Sequence, residues 1–308
     1  MCFFIATNLS AEQVARMGGR NLDLAVVDKA RRVLAEQERL FIKEQEKLPV
    51  AKRRNPKFLD FHIAENVYVA PAYSKPQQLI VGPDRHLQVF RWGLKPRNAS
   101  PEKLEQYSKE NWFVNANGER IFSEKTYPYF QIIQSHYNDS GEIVRPAQRC
   151  LIPFTGFVEY HYFSDKDKQP YYIEFPDRPE CFVAGLYEVT PIPGKAGYPG
   201  GGLDLSDPDF DNYYYTYVQV TTEGTPEMRE LHNGGNNPFR MPMVLRKEDE
   251  QLWLDPSTPL DVIKSLITPY DEYPIKAWPI DKKFQTKNPL AKQTIENIKL
   301  SGQKKLDL

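Results

Sequence analysis

The stretch Arg149-Cys150-Leu151-Ile152-Pro153-Phe154-Thr155-Gly156-Phe157-Val158-Glu159-Tyr160-His161 reads as an apolar strand that turns at Gly156 and resumes with one carboxylate embedded among bulky residues. Strand-like segments surround it. Residues 78–81, 87–91, 171–175, 181–190, 213–222 and 243–246 carry β-branched and aromatic side chains bounded by Gly, Pro and Asp. The pattern predicts an α+β fold: a single domain over residues 1–300, built on a curved or closed, mostly antiparallel β-sheet or barrel with peripheral helices. Ser10-Ala11-Glu12-Gln13 is a capping box opening a short helix that Gly18-Gly19 ends. From about Leu24 to Leu48, Val26, Val27, Ala30, Val33, Leu34, Leu40 and Phe41 recur at helical spacing, so a long amphipathic helix is expected inside an inserted segment, 20–60. Shorter helical pieces fit 101–111 and 259–266, and the Gly-, Pro- and Asp-rich run 191–212 is a surface excursion. The polar tail 301–308 is expected to fray.

The chain has 308 residues, 40% of them apolar and 13% aromatic, enough to bury a sizeable core. Forty Lys+Arg against 41 Asp+Glu leave a net charge of −1, so a nucleic-acid contact has to be local rather than a global basic field. Three cysteines, Cys2, Cys150 and Cys181, form no CxxC pair, which argues against a disulfide scaffold and a zinc ribbon. There is no basic segment followed by an apolar leader, and no window of 18 apolar residues. These features predict a soluble, cytoplasmic monomer with no cofactor and no membrane partner. The basic loop Lys52-Arg53-Arg54-Asn55-Pro56-Lys57 is read as solvated, with phosphate contact as the alternative.

Four positions carry chemistry. Cys2 becomes the amino terminus if Met1 is removed, and then offers an amine and a thiol two atoms apart, with ordinary pKa values of about 8 and about 8.5. Such a pair condenses with an aldehyde to an imine and closes a thiazolidine, with the intramolecular thiol favoured by its effective concentration. Glu159, among Phe157, Val158 and Tyr160, suits general acid/base work, unless it alternates outward or pairs with a cation. His161 stands beside it and is expected to face the other side of the strand, without cooperating. His232 opens the loop Asn233-Gly234-Gly235-Asn236-Asn237-Pro238-Phe239 and can serve as a proton shuttle or as an ordinary surface histidine. Asn115, in Val114-Asn115-Ala116-Asn117-Gly118, either presents a side-chain donor or merely shapes a turn. Cys2, Glu159 and His232 lack paired ligand spacing, so no metal is expected.

Taken in order, Met1-Cys2, Trp92-Gly93-Leu94-Lys95-Pro96, Asn115-Ala116-x-x-Glu119, the 149–160 stretch, Ala184-Gly185-Leu186-Tyr187-Glu188 and His232…Arg240-Met241-Pro242-Met243-Val244-Leu245 resemble the SOS-response-associated peptidase (SRAP) family from residue 1 to about 285. Members of that family shield abasic sites in single-stranded DNA. The resemblance implies that Cys2 attacks the ring-opened aldehyde of an abasic deoxyribose and forms a thiazolidine crosslink. It also implies that Asn115 positions the sugar, Glu159 acts as acid and base, His232 moves a proton, and Thr221 contacts the site. The sequence departs from the family pattern in three places. Cys2-Phe3-Phe4 replaces Cys-Gly-Arg, Asn115-Ala116-Asn117 replaces Asn-Ala-Arg, and Gly234–Phe239 separates His232 from Arg240. Lys95, Arg97, Arg120 and Arg240 are the cations that would make up the lost phosphate contacts. The same atoms also admit a cysteine-type peptidase, Cys2 with His232, cutting peptide bonds in general or only the Met1–Cys2 bond in cis. A noncatalytic interaction module is the third reading.

Overall fold

The computed structural model describes residues 4–19, 24–83, 87–109, 113–123, 125, 128–194, 212–272 and 274–298. Cys2, most of the 191–212 excursion and the 301–308 tail lie outside the described residues.

Two sheets organise the chain. One is antiparallel and five-stranded, formed by β1 (Phe4–Thr7), β2 (Val67–Pro71), β9 (Gly156–Ser164), β10 (Asp167–Glu174) and β14 (Lys276–Pro279) in the order β14-β10-β9-β1-β2. The other runs β11 (Cys181–Pro191), β8 (Arg149–Phe154), β3 (Gln77–Val81), β4 (Leu87–Trp92), β12 (Tyr213–Glu223) and β13 (Arg240–Pro242), with β5 (Asn115–Asn117) also on β12. Because β11 pairs with β12 as well as β8, this second sheet closes on itself. The expected curved, mostly antiparallel sheet is therefore present, with parallel pairing where β12 meets β4 and β5 and in an isolated bridge between Ile63 and Gln77. A two-stranded ribbon, β6 (His136–Tyr137) with β7 (Ile143–Arg145), stands apart.

The 149–161 stretch links the two sheets. The chain leaves the closed sheet at Phe154 and enters the five-stranded sheet at Gly156, while Thr155 N–H donates to Ala6 O at 3.0 Å and Thr155 Oγ1 accepts from Asn8 N at 3.2 Å. Glycine is needed at the corner, because a Cβ at 156 would lie 2.8 Å from the Ile173 carbonyl oxygen. The main apolar cluster, with Ile5, Phe154, Phe157, Ile173 and Tyr217, fills the space between the sheets. Each of these large side chains contributes about 1.5–3 kcal/mol by leaving water.

Helices cover the flanks: α1 (Ala11–Gly18), α2 (Leu24–Glu46), α3 (Phe58–Phe61), α4 (Pro101–Lys109), α5 (Tyr129–Ile133), α6 (Pro226–Leu231), α7 (Asp249–Leu254) and α8 (Leu260–Ser265). The capping box of α1 forms as expected, with Gly19 left-handed at φ 61°. In α2 the first half is buried, at Val26, Val27, Ala30 and Leu34, whereas Leu40 and Ile42 are exposed and Phe41 rests against Phe61 of α3 with ring centres 5.4 Å apart. The strand expected at 243–246 is displaced. Pairing with β12 occurs at Arg240–Pro242, and Val244 makes only an isolated bridge to Val183. Among the described residues no helix is long and apolar enough to cross a membrane.

Arg149, at the start of β8, is 1% exposed, and its guanidinium donates to the carbonyls of Ile133, Trp253 and Asp255 at 2.5 Å each. Burial pulls its pKa down to about 10, which still leaves it charged at neutral pH. One side chain thus terminates α5 and α7 and ties both to the closed sheet.

Candidate functional site

Glu159 lies on β9 opposite Tyr171 and is 4% exposed. Val158 and Tyr160 point to the other face, so the carboxylate faces the inter-sheet side with Phe157 and Ile173. His232 reaches it from above. Thr225 caps α6 by accepting from Met228 N at 3.3 Å, Pro226 opens the helix, and His232 closes it, donating its N–H to Met228 O at 2.8 Å. Its ring is buried, with Nε2 3.5 Å from Glu159 Oε2.

The histidine's other nitrogen fixes what this pair can do. Nδ1 lies 3.0 Å from the Arg240 carbonyl, an oxygen that only accepts, so Nδ1 carries hydrogen. Nε2 therefore faces the carboxylate either as a lone pair or as a second N–H. Among the described residues Glu159 Oε1 has no hydrogen-bond partner. A buried carboxylate oxygen without a donor costs free energy unless something else meets it.

His161 corrects the sequence reading. Glu159 and His161 are two apart on one strand, so they share a face. His161 is 7% exposed, and its Nδ1 meets the carbonyls of Glu230 at 3.1 Å and Leu231 at 3.2 Å, the last two residues of α6. The strand thus grips the helix end twice, once at those carbonyls and once at His232. The loop after His232 is pinned to the same strand. Asn233 accepts from Tyr162 N at 2.8 Å and donates to Tyr162 O at 3.1 Å, and Gly234 lies so close to Tyr162 that a Cβ would come within 2.6 Å of the ring. Phe239 N–H donates to His232 O at 2.8 Å, closing the loop.

Arg240 joins a second cluster. Its guanidinium donates to Glu119 Oε2 at 2.7 Å and to Thr221 O at 2.6 Å, with Thr221 Oγ1 at 3.3 Å. Burial raises the Glu119 pKa, but its own and the Glu223 backbone N–H and the Arg240 guanidinium outweigh it and hold the carboxyl below its usual range. Thr221 is buried and donates to Ala116 O at 3.2 Å. Asn115, half-buried on β5, lies beside Gln219, two registers from Thr221. Glu159, His232, Arg240 and Thr221 are thus linked through successive contacts, and Asn115 stands on the neighbouring strand.

The other cations lie elsewhere. Lys95 is buried, its Nζ 3.8 Å from the centre of the Tyr214 ring, and its N–H donates to Thr216 Oγ1, five strand residues or about 17 Å from Thr221. Burial, then Lys75 and Arg91, pull its pKa down to about 8. Arg97 is half-buried beside Glu188, and Arg120 is exposed.

The sequence matches the family described as SOS response associated peptidase (SRAP) over residues 1–287. The chain belongs to that family. As an SRAP chain it is 30% identical over 215 residues to the abasic site processing protein YoaM of Bacillus subtilis, covering 69% of this chain and 76% of that one. It is 29% identical over 241 residues to the abasic site processing protein YoqW of the same organism, covering 77% and 88%. A crystal structure of a protein from Bacteroides thetaiotaomicron superposes with a TM-score of 0.68 at 25% identity, covering 96% of this SRAP chain and all of that one.

Glu119 and His161 are the participants missed from sequence. Glu119 stood in a quoted motif without a role, and counting by twos along 157–161 would have placed His161 beside Glu159.

Proposed function

We propose that this protein binds abasic sites in single-stranded DNA and captures them covalently through Cys2 once Met1 is removed, shielding the lesion. The observation that carries the reading is the buried Glu159–His232 pair, with one carboxylate oxygen lacking a partner among the described residues, on the strand beside the chain's first described residue. Phe4 pairs with Val158, one residue from Glu159. The names of the curated relatives support the substrate.

The steps balance as follows. The Cys2 amine attacks C1′ of the ring-opened deoxyribose, and the carbonyl electron pair moves to oxygen, which takes a proton. The C–O bond then breaks and water leaves, with the proton supplied by the Glu159–His232 pair. The Cys2 thiolate adds to the imine carbon, and the C=N electron pair goes to nitrogen, which is protonated. One water is lost overall. Glu159 alternates between acid and base, His232 relays the proton, and Asn115 holds the sugar. Arg240 orders Thr221, and exposed Arg120 meets phosphate.

The test is to mix purified protein with an oligonucleotide bearing one abasic site and to run a denaturing gel. A retained band that Cys2→Ala abolishes is the expected result, with duplex substrate performing poorly. Cleavage of peptides in trans without any retained band would replace this reading with a peptidase.

A further inference from the structure

The carbonyl that fixes the His232 ring belongs to Arg240, eight residues further along and across the inserted loop. That carbonyl has little local support. Arg240 pairs with Glu223 at one end of β13, a strand of three residues. Phe239, just before it, holds φ 62°, a left-handed conformation that a bulky side chain adopts only when its surroundings impose it. The Arg240 side chain supplies the missing anchor. Its guanidinium donates to Glu119 Oε2 at 2.7 Å and to the Thr221 carbonyl at 2.6 Å. Glu119 is itself held, because its Oε1 accepts from Thr222 Oγ1 at 3.0 Å and from the Glu223 N–H at 2.9 Å. The turn that carries Glu119 is pressed onto β12, where Gly118 N–H donates to the same Thr221 carbonyl at 2.8 Å. A Cβ at position 118 would lie 3.0 Å from that oxygen and 2.7 Å from Ile267 Cγ2. One carboxylate, kept ionised by these donors, therefore spans β12 and β13.

We propose that Glu119 is a positioning residue for His232. Through the Arg240 guanidinium it fixes the Arg240 carbonyl, which keeps hydrogen on Nδ1 and turns Nε2 toward Glu159. The path is continuous: Glu119 carboxylate, Arg240 side chain, Arg240 carbonyl, His232 ring, Glu159. In this chain Arg240 is then a tie rather than a contact for phosphate, since its guanidinium is already committed to Glu119 and Thr221. The insertion Gly234–Phe239 explains why such a tie is needed, because a loop of that length leaves the distance from His232 to Arg240 unfixed by the covalent chain. A proton-transfer group displaced by even an ångström loses much of its rate, so a clamp two contacts away can control the chemistry. In speaking of a crosslinking rate this inference rests on the abasic-site reading; the state of the His232 ring does not depend on it.

Nitrogen-15 NMR of the histidine rings, recorded without DNA, tests the tie on its own. The wild type is expected to show hydrogen on His232 Nδ1 in slow exchange with water. Glu119→Gln keeps the side chain's shape and removes the charge facing Arg240, so it is expected to lose that slow exchange or to divide the hydrogen between the two nitrogens. Arg240→Gln is expected to do the same. An unaltered His232 signal in both variants would mean that β12–β13 pairing alone holds the carbonyl, and overturns the proposal. Kinetics with an abasic oligonucleotide supply the second readout. Each single variant is expected to crosslink about tenfold more slowly, and the double variant no more slowly than the slower single, because both break one path. Losses that multiply to about a hundredfold in the double variant would make the two residues independent and overturn it. Binding of a lesion-free oligothymidylate should keep its salt dependence in Arg240→Gln; a slope lowered by about 0.7 would make Arg240 a phosphate contact instead. Wild-type protein that forms no adduct ends the abasic-site reading and leaves the NMR result standing, whereas an adduct with unaltered His232 signals in the variants ends the tie alone.

Discussion

Arg149 and Glu159 stand ten residues apart on one continuous stretch, both buried, both charged in ordinary water, and opposite in how the fold treats them. The guanidinium of Arg149 has donors on three carbonyls at hydrogen-bond distance, which turns a costly buried charge into a rivet joining α5, α7 and β8. Glu159 has one oxygen at a loose 3.5 Å from His232 and the other without a partner among the described residues. A buried group whose bonding is complete holds structure. One whose bonding is incomplete, in a fold that spends three further contacts aligning its neighbour His232, is the group to which we assign proton transfer.

The largest expected effect comes from the satisfied side of that contrast. Arg149→Leu strands three buried carbonyls, at roughly 1–3 kcal/mol each, so denaturant unfolding should show a loss of at least about 3 kcal/mol. A variant of near wild-type stability would show that the rivet carries little. Glu159→Gln probes the other side. It keeps the shape and removes the titrating oxygen, so chemical denaturation should shift little while crosslink formation slows about a hundredfold. A large stability loss with an unchanged rate would reverse the two roles.

His161 sharpens the comparison, because it acts on His232 only through the end of α6. His161→Ala should slow crosslinking about tenfold and alter its pH profile, with a stability cost near 1 kcal/mol. The same stability cost with rate and pH profile intact would reduce it to packing. Lys95 gives the smallest effect and a third kind of burial, a cation among cations. Its folded pKa of about 8 lies below the ordinary 10.5, so the cost of burying the charge is complete below pH 8 and is relieved as pH rises toward 10.5. Wild-type stability should therefore rise relative to Lys95→Met by an amount on the order of 1 kcal/mol across that window, and parallel curves would refute the assignment.

Much of the frame was legible because its signals are local. The capping box at Ser10, the long α2 and the strands from Gln77 onward follow from periodicity and turn residues. The move of the chain from one sheet to the other at Thr155 was not, since it depends on β1, distant in sequence, pairing with both sides of the corner. Short strands such as β2, β5 and β14 are set by their partners more than by their own residues, and β13 falls at Arg240–Pro242 because β12 accepts it there. Glu159 and His232 were recognisable as candidates by residue type. Their approach required α6 to end over β9, which no spacing along the chain encodes.

Intact-mass spectrometry of the adduct tests the central claim most directly. After reaction with an abasic oligonucleotide, the account predicts a species equal to the chain without Met1 plus the oligonucleotide minus one water, unchanged by borohydride, because a closed thiazolidine has no C=N bond left to reduce. An adduct that gains the mass of two hydrogens on borohydride treatment, or that forms equally well in Cys2→Ala, would contradict it.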